Sequence, residues 1–490
     1  MSTGGQYQLI ANDGPQDILL TANELLTKRL EEIHRLRCKH PAIRDPTPTL
    51  VDVERTHLLF INSHFKPFVT IGLEYTKIGP DQGNVTFGQE LIYSIPQYGD
   101  FFADMVLHFT MTGFQATAGN QCFCADFIGH RMVQRARFEV NQSFLDQYDY
   151  DIYNFHYNFT VTKDRKRSWL RMVGQEVPTP AYLTQSPTDE YREVKMIVNG
   201  YQTPKAAHPV IDLWVPLLFW FNKDARLAIP SLAIPYGQRF IKILLATPEL
   251  LFGATPAPGG YIAPVITNAD LYINNIFVNP DILDLFIRRI GFALIRVHRY
   301  QKNIVNVNQD SIKLDQLKFP VETIYFGCRM QANYASLQDW YRFSLVIPQF
   351  INYPVSVPNP APPPLHLLQF ANAEWKQDVR ILDTVLFQTK GVILYREFPT
   401  DFHNKYLPYI SATGAIRSPD QEHMYMATFS FFTGIYQPSG HINLSRTREF
   451  YIQYSSSVLS VIAPGELTVI AICINFLLIA EGQAALRYNT

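Results

Sequence analysis

Residues 434–454, GIYQPSGHINLSRTREFYIQY, decide how the rest of the chain is read. Ile442, Leu444, Phe450, Ile452 and Tyr454 share one parity and His441, Asn443 and Ser445 the other, the two-residue period of a half-buried strand. Pro438-Ser439-Gly440 ahead of it is turn chemistry, a fixed φ followed by a permissive glycine. Thr447-Arg448 breaks the pattern again before EFYIQY. An apolar run, a Pro-Ser turn, a short spacer and a closing strand thus form a unit.

A similar unit lies upstream. The aromatic stretch 214–221 matches YMATFSFF, 425–432, at an offset of 211, and Pro230-Ser231 matches Pro438-Ser439 at 208. RFIKI from Arg239 matches EFYIQ from Glu449 at 210, and Phe60-Ile61-Asn62 with Phe65 matches Tyr272-Ile273-Asn274 with Phe277 at 212. Four matches in one order at nearly one offset imply a duplicated domain of about 210 residues. Runs such as PQYGDFFADMVLHFTMTGF and RARFEVNQSFL are aromatic and β-branched, and 33 prolines against 25 glycines favour strands joined by ordered turns. A unit of this length fits a jelly roll better than a compact sandwich of about 100 residues. The expected fold is all-β: two tandem eight-stranded antiparallel jelly rolls with an N-terminal amphipathic helix. The helix is DILLTANELLTKRLEEIHRLR, 17–37, whose leucines recur near helical spacing. The boundaries read as an arm at 1–49, a first roll at 50–252, a Pro/Gly-rich linker at 253–264 (GATPAPGGYIAP) and a second roll at 265–490. LWVPLLFWF, 213–221, reads as a strand buried on both sides, with Pro216 marking an edge or bulge, and PVSVPNPAPPP, 354–364, as a stiff solvated loop.

Composition narrows the function. A formal charge of −1 provides no field to draw the chain onto nucleic acid, so direct genome contact is not expected. Five cysteines in 490 residues suit a reducing compartment, and the N-terminus lacks a signal-peptide pattern. The apolar run Val469 to Ala480 is too short for a bilayer and reads as a buried strand.

Candidate chemistry is sparse. Cys122 and Cys124 share one side of a strand, but no second ligand pair completes a zinc site. Single histidines such as His57, His64, His298 and His441 read as surface or hydrogen-bonded core residues. Asp146, Asp149 and Asp151 resemble paired carboxylates of a glycoside hydrolase, against which their tyrosine-rich setting reads as a solvated loop. The run Lys163–Arg167 reads as an exposed face or a subunit ion pair. P-loop and nucleophile-elbow motifs are missing, so no catalytic, cofactor or metal residue is expected.

LAIPSLAIPYGQRFIKI (227–243), QPSGHINLSR (437–446) and INFLLIAEGQAALRYNT (474–490) resemble the double jelly-roll major capsid proteins of nucleocytoplasmic large DNA viruses. LIANDG (9–14), HFKPFVTIGLEYTK (64–77), IPQYGDFFADMV (95–106), LYINNIFVNPDI (271–282) and LIRVHR (294–299) are similar to the asfarvirus-like branch that includes African swine fever virus. The chain is shorter than that branch, mainly between about residues 110 and 200. The resemblance implies a homotrimer forming a pseudo-hexagonal capsomer that tiles an icosahedral shell assembled in the host cytoplasm. Its implied partners are neighbouring capsomers, minor capsid or penton proteins, and an internal membrane touched by the N-terminal helix. It also implies that Gln437, Pro438, Ser439, Gly440, Asn443, Ser445 and Arg446 define the fold; with Pro230 and Ser231 of the upstream unit they read as structural, and no ligand is expected there. Two other readings remain open at this point: a carbohydrate-binding or carbohydrate-active β-sandwich, and a transient assembly scaffold of the same fold.

Overall fold

The computed structural model describes, apart from short gaps, residues 71–175, 179–183, 192–196, 200–280, 292–352 and 372–488. Most of the expected helix at 17–37, the 57–68 strand, the 354–364 loop and Arg446 lie outside the described residues.

The first roll consists of β1 (Ile71–Ile78), β2 (Glu90–Ser94), β3 (Phe101–Met111), β4 (Val133–Val140), β5 (Ser143–Asp149), β6 (Ile211–Pro216), β7 (Arg239–Leu245) and β8 (Ile266–Val278). They pair antiparallel as two sheets, β1-β8-β3-β6 and β2-β7-β4-β5. The second roll consists of β9 (Phe292–Val305), β10 (Gln309–Lys313), β11 (Pro320–Met330), β12 (Thr384–Thr389), β13 (Val392–Pro399), β14 (Tyr425–Thr428), β15 (Phe450–Ser455) and β16 (Gly465–Ala480). Its sheets run β9-β16-β11-β14 and β10-β15-β12-β13. Adding eight to each label of the first roll reproduces the second, so the duplication holds strand by strand.

Alternation sets which face is core. In β3, Met105, Leu107, Phe109 and Met111 are buried between the sheets, while Asp104, Val106, His108 and Thr110 are half-buried on the outer face. In β15, Phe450, Ile452 and Tyr454 are buried and the residues between them half-buried, matching the parity in the sequence. β11 is buried along its whole length. Its inner residues Ile324 and Phe326 face the second roll's core, and Phe326 meets Phe387 of β12 edge-on with ring centres 5.4 Å apart. Its outer residues are covered by the first roll. β16 contains the apolar run near the C-terminus and lies between β9 and β11. Among the described residues no helix is long and apolar enough to cross a membrane.

Several expectations need correction. The stretch 213–221 is not one doubly buried strand: β6 ends at Pro216, Trp214 faces outward against His108, and a helical turn follows at Trp220–Lys223. Pro216 ends an edge strand, where a missing N–H costs least. The matching stretch 425–432 is strand only through Thr428, and Phe431 and Phe432 are exposed. The stretch 253–264 holds paired strands: Phe252–Thr255 pairs with Gln121–Cys124, and Tyr261–Ile262 with Gln115–Ala116. Strand β8, with Tyr272 and Phe277, lies between β1 and β3, so the first roll's sheet extends to Val278 and the 212-residue match does not reach the second roll. Pro230 pairs with Phe101 at the start of β3, and the residue pairing with the start of β11 is Asn443, so Pro230-Ser231 and Pro438-Ser439 are not equivalent. The matches at 210 and 211 do align strands, β7 with β15 and β6 with β14.

Candidate functional site

The chemistry that stands out lies where the rolls meet. A register shift in the β4–β5 pairing leaves Leu145 opposite no residue of β4. Leu145 and Asp146 are consecutive, and both are fully buried. Helix α1 (Asp151–Phe159) follows β5 directly, with Asp151 in its first turn, where a carboxylate suits the helix dipole. Asp146, Asp149 and Asp151 are therefore not a solvated loop, and the reason is long-range. Opposite them, β9 and β11 of the second roll present His298, Lys302 and Arg329.

Arg329 has no exposed side-chain surface and sits at 2.9 Å from Asp151 and 2.7 Å from Glu466, and it donates to the Trp340 carbonyl at 2.8 Å. Lys302 lies 2.6 Å from Asp149 and also pairs with Asp151. Burial pushes the Asp151 carboxyl up, but Arg329 and Lys302 outweigh it and hold the group below its usual range. At Asp149 burial prevails over Lys302, and the carboxyl is raised. The Lys302 ammonium is held well above its ordinary range because Asp151 and Asp149 overcome its burial. Asp146 accepts from the His298 backbone N–H at 2.9 Å and from its Nδ1 at 3.0 Å. Burial lowers the His298 pKa more than Asp146 raises it. The ring is thus neutral, with Nδ1–H donating to Asp146 and Nε2 accepting from Lys223 at 3.3 Å. Phe155 of α1 packs on Phe343 and Tyr325 at 5.1 and 6.1 Å between ring centres.

A second set of contacts flanks the first. Arg131, fully buried in the short helix Ile128–Met132, donates to the Tyr334 carbonyl at 2.8 Å and lies over the Trp340 ring. The Trp340 indole donates to the Asp126 carbonyl. One local signal points to these partners, the lone arginine near the end of the apolar run of β11, because a buried charge needs a counter-charge. The arrangement holds two bodies together, and its carboxylates are committed to internal pairs, which removes the motive for a glycoside-hydrolase reading.

The remaining motif residues take separate positions. Pro230 and Ser231 are buried, and Arg239 donates to the Ser231 hydroxyl at 2.7 Å. Ser439 Oγ accepts from the Phe432 N–H at 2.7 Å and donates back to its carbonyl. A Cβ on Gly440 would stand 2.8 Å from the Phe429 carbonyl oxygen. Asn443 Oδ1 accepts from the Ser445 N–H at 3.0 Å, and Gln437 is exposed in the same loop. Cys122 and Cys124 are buried and unoxidised, and among the described residues no group of three or more His, Cys, Asp or Glu is placed to hold a metal. The basic run begins helix α2 (Lys163–Met172), mostly exposed, with Lys166 paired to Asp420 of the second roll.

Residues 74–279 match the family described as "Major capsid protein N-terminus", and residues 283–485 match "Large eukaryotic DNA virus major capsid protein". "Hexon protein p72" of African swine fever virus (strain Badajoz 1971 Vero-adapted) is 30% identical over 650 aligned positions that take in 100% of both chains. An alignment of that length leaves the relative with insertions that these 490 residues lack. Among solved structures, the Faustovirus major capsid protein superposes with a TM-score of 0.80 at 30% identity, covering 96% of this chain and 100% of that one. The PBCV-1 virus capsid shares the fold at a TM-score of 0.66 and 17% identity, over 88% and 100%. With both rolls matched and a full-length relative at this identity, the chain belongs to the large eukaryotic DNA virus major capsid proteins, structural proteins of the virion.

Proposed function

We propose that three copies of this chain form a pseudo-hexagonal capsomer, and that these capsomers tile an icosahedral shell. The observation that carries this reading is the pair of rolls with one topology locked at a buried ionic junction, which gives each chain two like lobes and a trimer six. The role is structural and non-enzymatic, built on subunit contacts. Assembly in the host cytoplasm, contact with minor capsid or penton proteins, and an inward-facing N-terminal arm against a membrane complete the proposal. In it the Pro230-Ser231 and Gln437–Ser445 loops, with Arg446, shape the rolls and hold no ligand. Negative-stain images of the purified chain should show six-lobed particles and ordered arrays. Single two-lobed particles at every concentration would contradict the reading. Mass spectrometry of purified virions should find the chain as a major component; its absence would assign it to a transient scaffold.

A further inference from the structure

The sheet face of the second roll that meets the first is covered along only part of its length. Its rows cross three strands: His298 of β9 stands opposite Ile472 of β16, and Ile472 opposite Thr323 of β11. The next row is Tyr300, Ile470 and Tyr325. On the Lys302 and Arg329 side, β5 and α1 close the ionic junction against this face. On the Arg296 and His298 side a cleft of about 1340 Å³ stands between the rolls, open to solvent. Its floor is the sheet face, with Arg296, Thr323 and Ile472. Its walls are Phe155 and His156 of α1, Trp169 of α2, and Leu217 and Lys223 of the segment after β6. Apart from a few polar groups the lining is aliphatic and aromatic, the usual make-up of a small-molecule site.

Nearly every charge in the cleft is committed. Arg296 pairs with Glu322 at 2.5 Å and Arg226 with Asp224 at 2.6 Å, while Asp164 and Arg165 offset each other at the rim. Lys223 is the exception. Among the described residues its ammonium donates only to His298 Nε2, at 3.3 Å, which leaves N–H donors turned to the cleft. The side chain keeps open surface there although protein surrounds it on most sides, and this enclosure lowers its pKa to about 8, so it is charged at neutral pH. Burial, with Lys223 adding to it, holds the His156 ring neutral beside it. Below, on the cleft floor, the buried Thr323 hydroxyl has no hydrogen-bond partner. The site therefore offers donors and one uncommitted cation, and lacks an acceptor.

We propose that this cleft binds an apolar organic acid, its carboxylate on Lys223 and its hydrocarbon body along Ile472, Ile470, Phe155 and Leu217. One cation matches a singly charged head. A dianion such as phosphate would bring a second charge toward Glu322 and Asp224 and leave the apolar walls in water. Because the floor belongs to the second roll and the walls to the first, a bound acid ties the rolls together and stabilises the chain by mass action.

The test uses the full chain, stripped of bound lipid on a hydrophobic resin and titrated at neutral pH with sodium decanoate in a calorimeter. The expected result is saturable binding of one decanoate per chain. Lys223→Met should weaken it about tenfold or more by removing the cation, and Ile472→Trp by filling the cleft, each with the circular dichroism of the wild type. Inorganic phosphate in place of decanoate should bind at least about tenfold more weakly. Phosphate bound as tightly as decanoate would overturn the apolar body and leave a simple anion site. Decanoate bound equally well by Lys223→Met, or not saturably by the wild type, would overturn the proposal, whatever the mass of the assembly.

Discussion

β5 with α1 and β13 with the Phe402–Ile410 segment occupy the same place in the two rolls, yet one is buried and the other open. In β5 and the start of α1, Leu145, Asp146, Tyr148 and Asp151 are all buried, whereas most of β13 is exposed. The strand topology is common to both, so the difference comes from what lies opposite. The lesson is that a repeated domain can hold its interface in duplicate and use one copy internally. The stability of the single chain should then depend on the covered copy and not on the open one.

The largest effect is expected at Arg329. Arg329→Ala leaves Asp151 buried without its main counter-charge and should cost about 3–5 kcal/mol, read as a lower urea midpoint with an unchanged slope. An unchanged midpoint would show that the junction does not bear on chain stability. Phe155→Ala, which empties the space against Phe343, should cost about 3–5 kcal/mol in the same assay. In the first roll His130 is fully buried, donating from Nδ1 to Asn154 and accepting from the Trp169 indole at Nε2, and burial lowers its pKa to about 3. The unfolded chain takes up a proton near pH 6.5 that the folded ring resists, so stability from this group is present above pH 6.5 and lost as pH falls toward 3. Each unit in that window removes up to about 1.4 kcal/mol. Urea midpoints measured between pH 7 and 5 should fall less steeply for His130→Gln than for the wild type. Ser439→Ala removes the hydrogen bonds to Phe432 and should cost about 1 kcal/mol. The smallest effect on folding is expected at the open copy: Tyr409→Ala should move the urea midpoint by no more than about 0.5 kcal/mol. A shift as large as that of Phe155→Ala would end the contrast between the two regions.

The parts of the fold legible in the sequence are those set by local period. β15 and β7 were readable because Phe450, Ile452 and Tyr454 alternate with half-buried residues, and RFIKI does the same 210 residues earlier. Pro230 and Pro438 misled because a Pro-Ser turn is a common local solution: the strand register puts Asn443 where Pro230 stands. The proline-rich stretch 253–264 looked like a linker, since composition cannot show that its flanks pair with Gln121–Cys124 and Gln115–Ala116. The acid cluster was the costliest misreading. Asp and Tyr in alternation look solvated, and the groups that bury them, Lys302 and Arg329, are more than 150 residues away. The resemblance in QPSGHINLSR pointed to the family, but nothing local could separate the covered edge from the open one.

The most direct measurement is the native mass of the purified chain by light scattering across a dilution series at neutral pH. The account predicts about three times the 56.3 kDa chain mass. A mass of one chain throughout, with the urea transition of a folded protein intact, would contradict it.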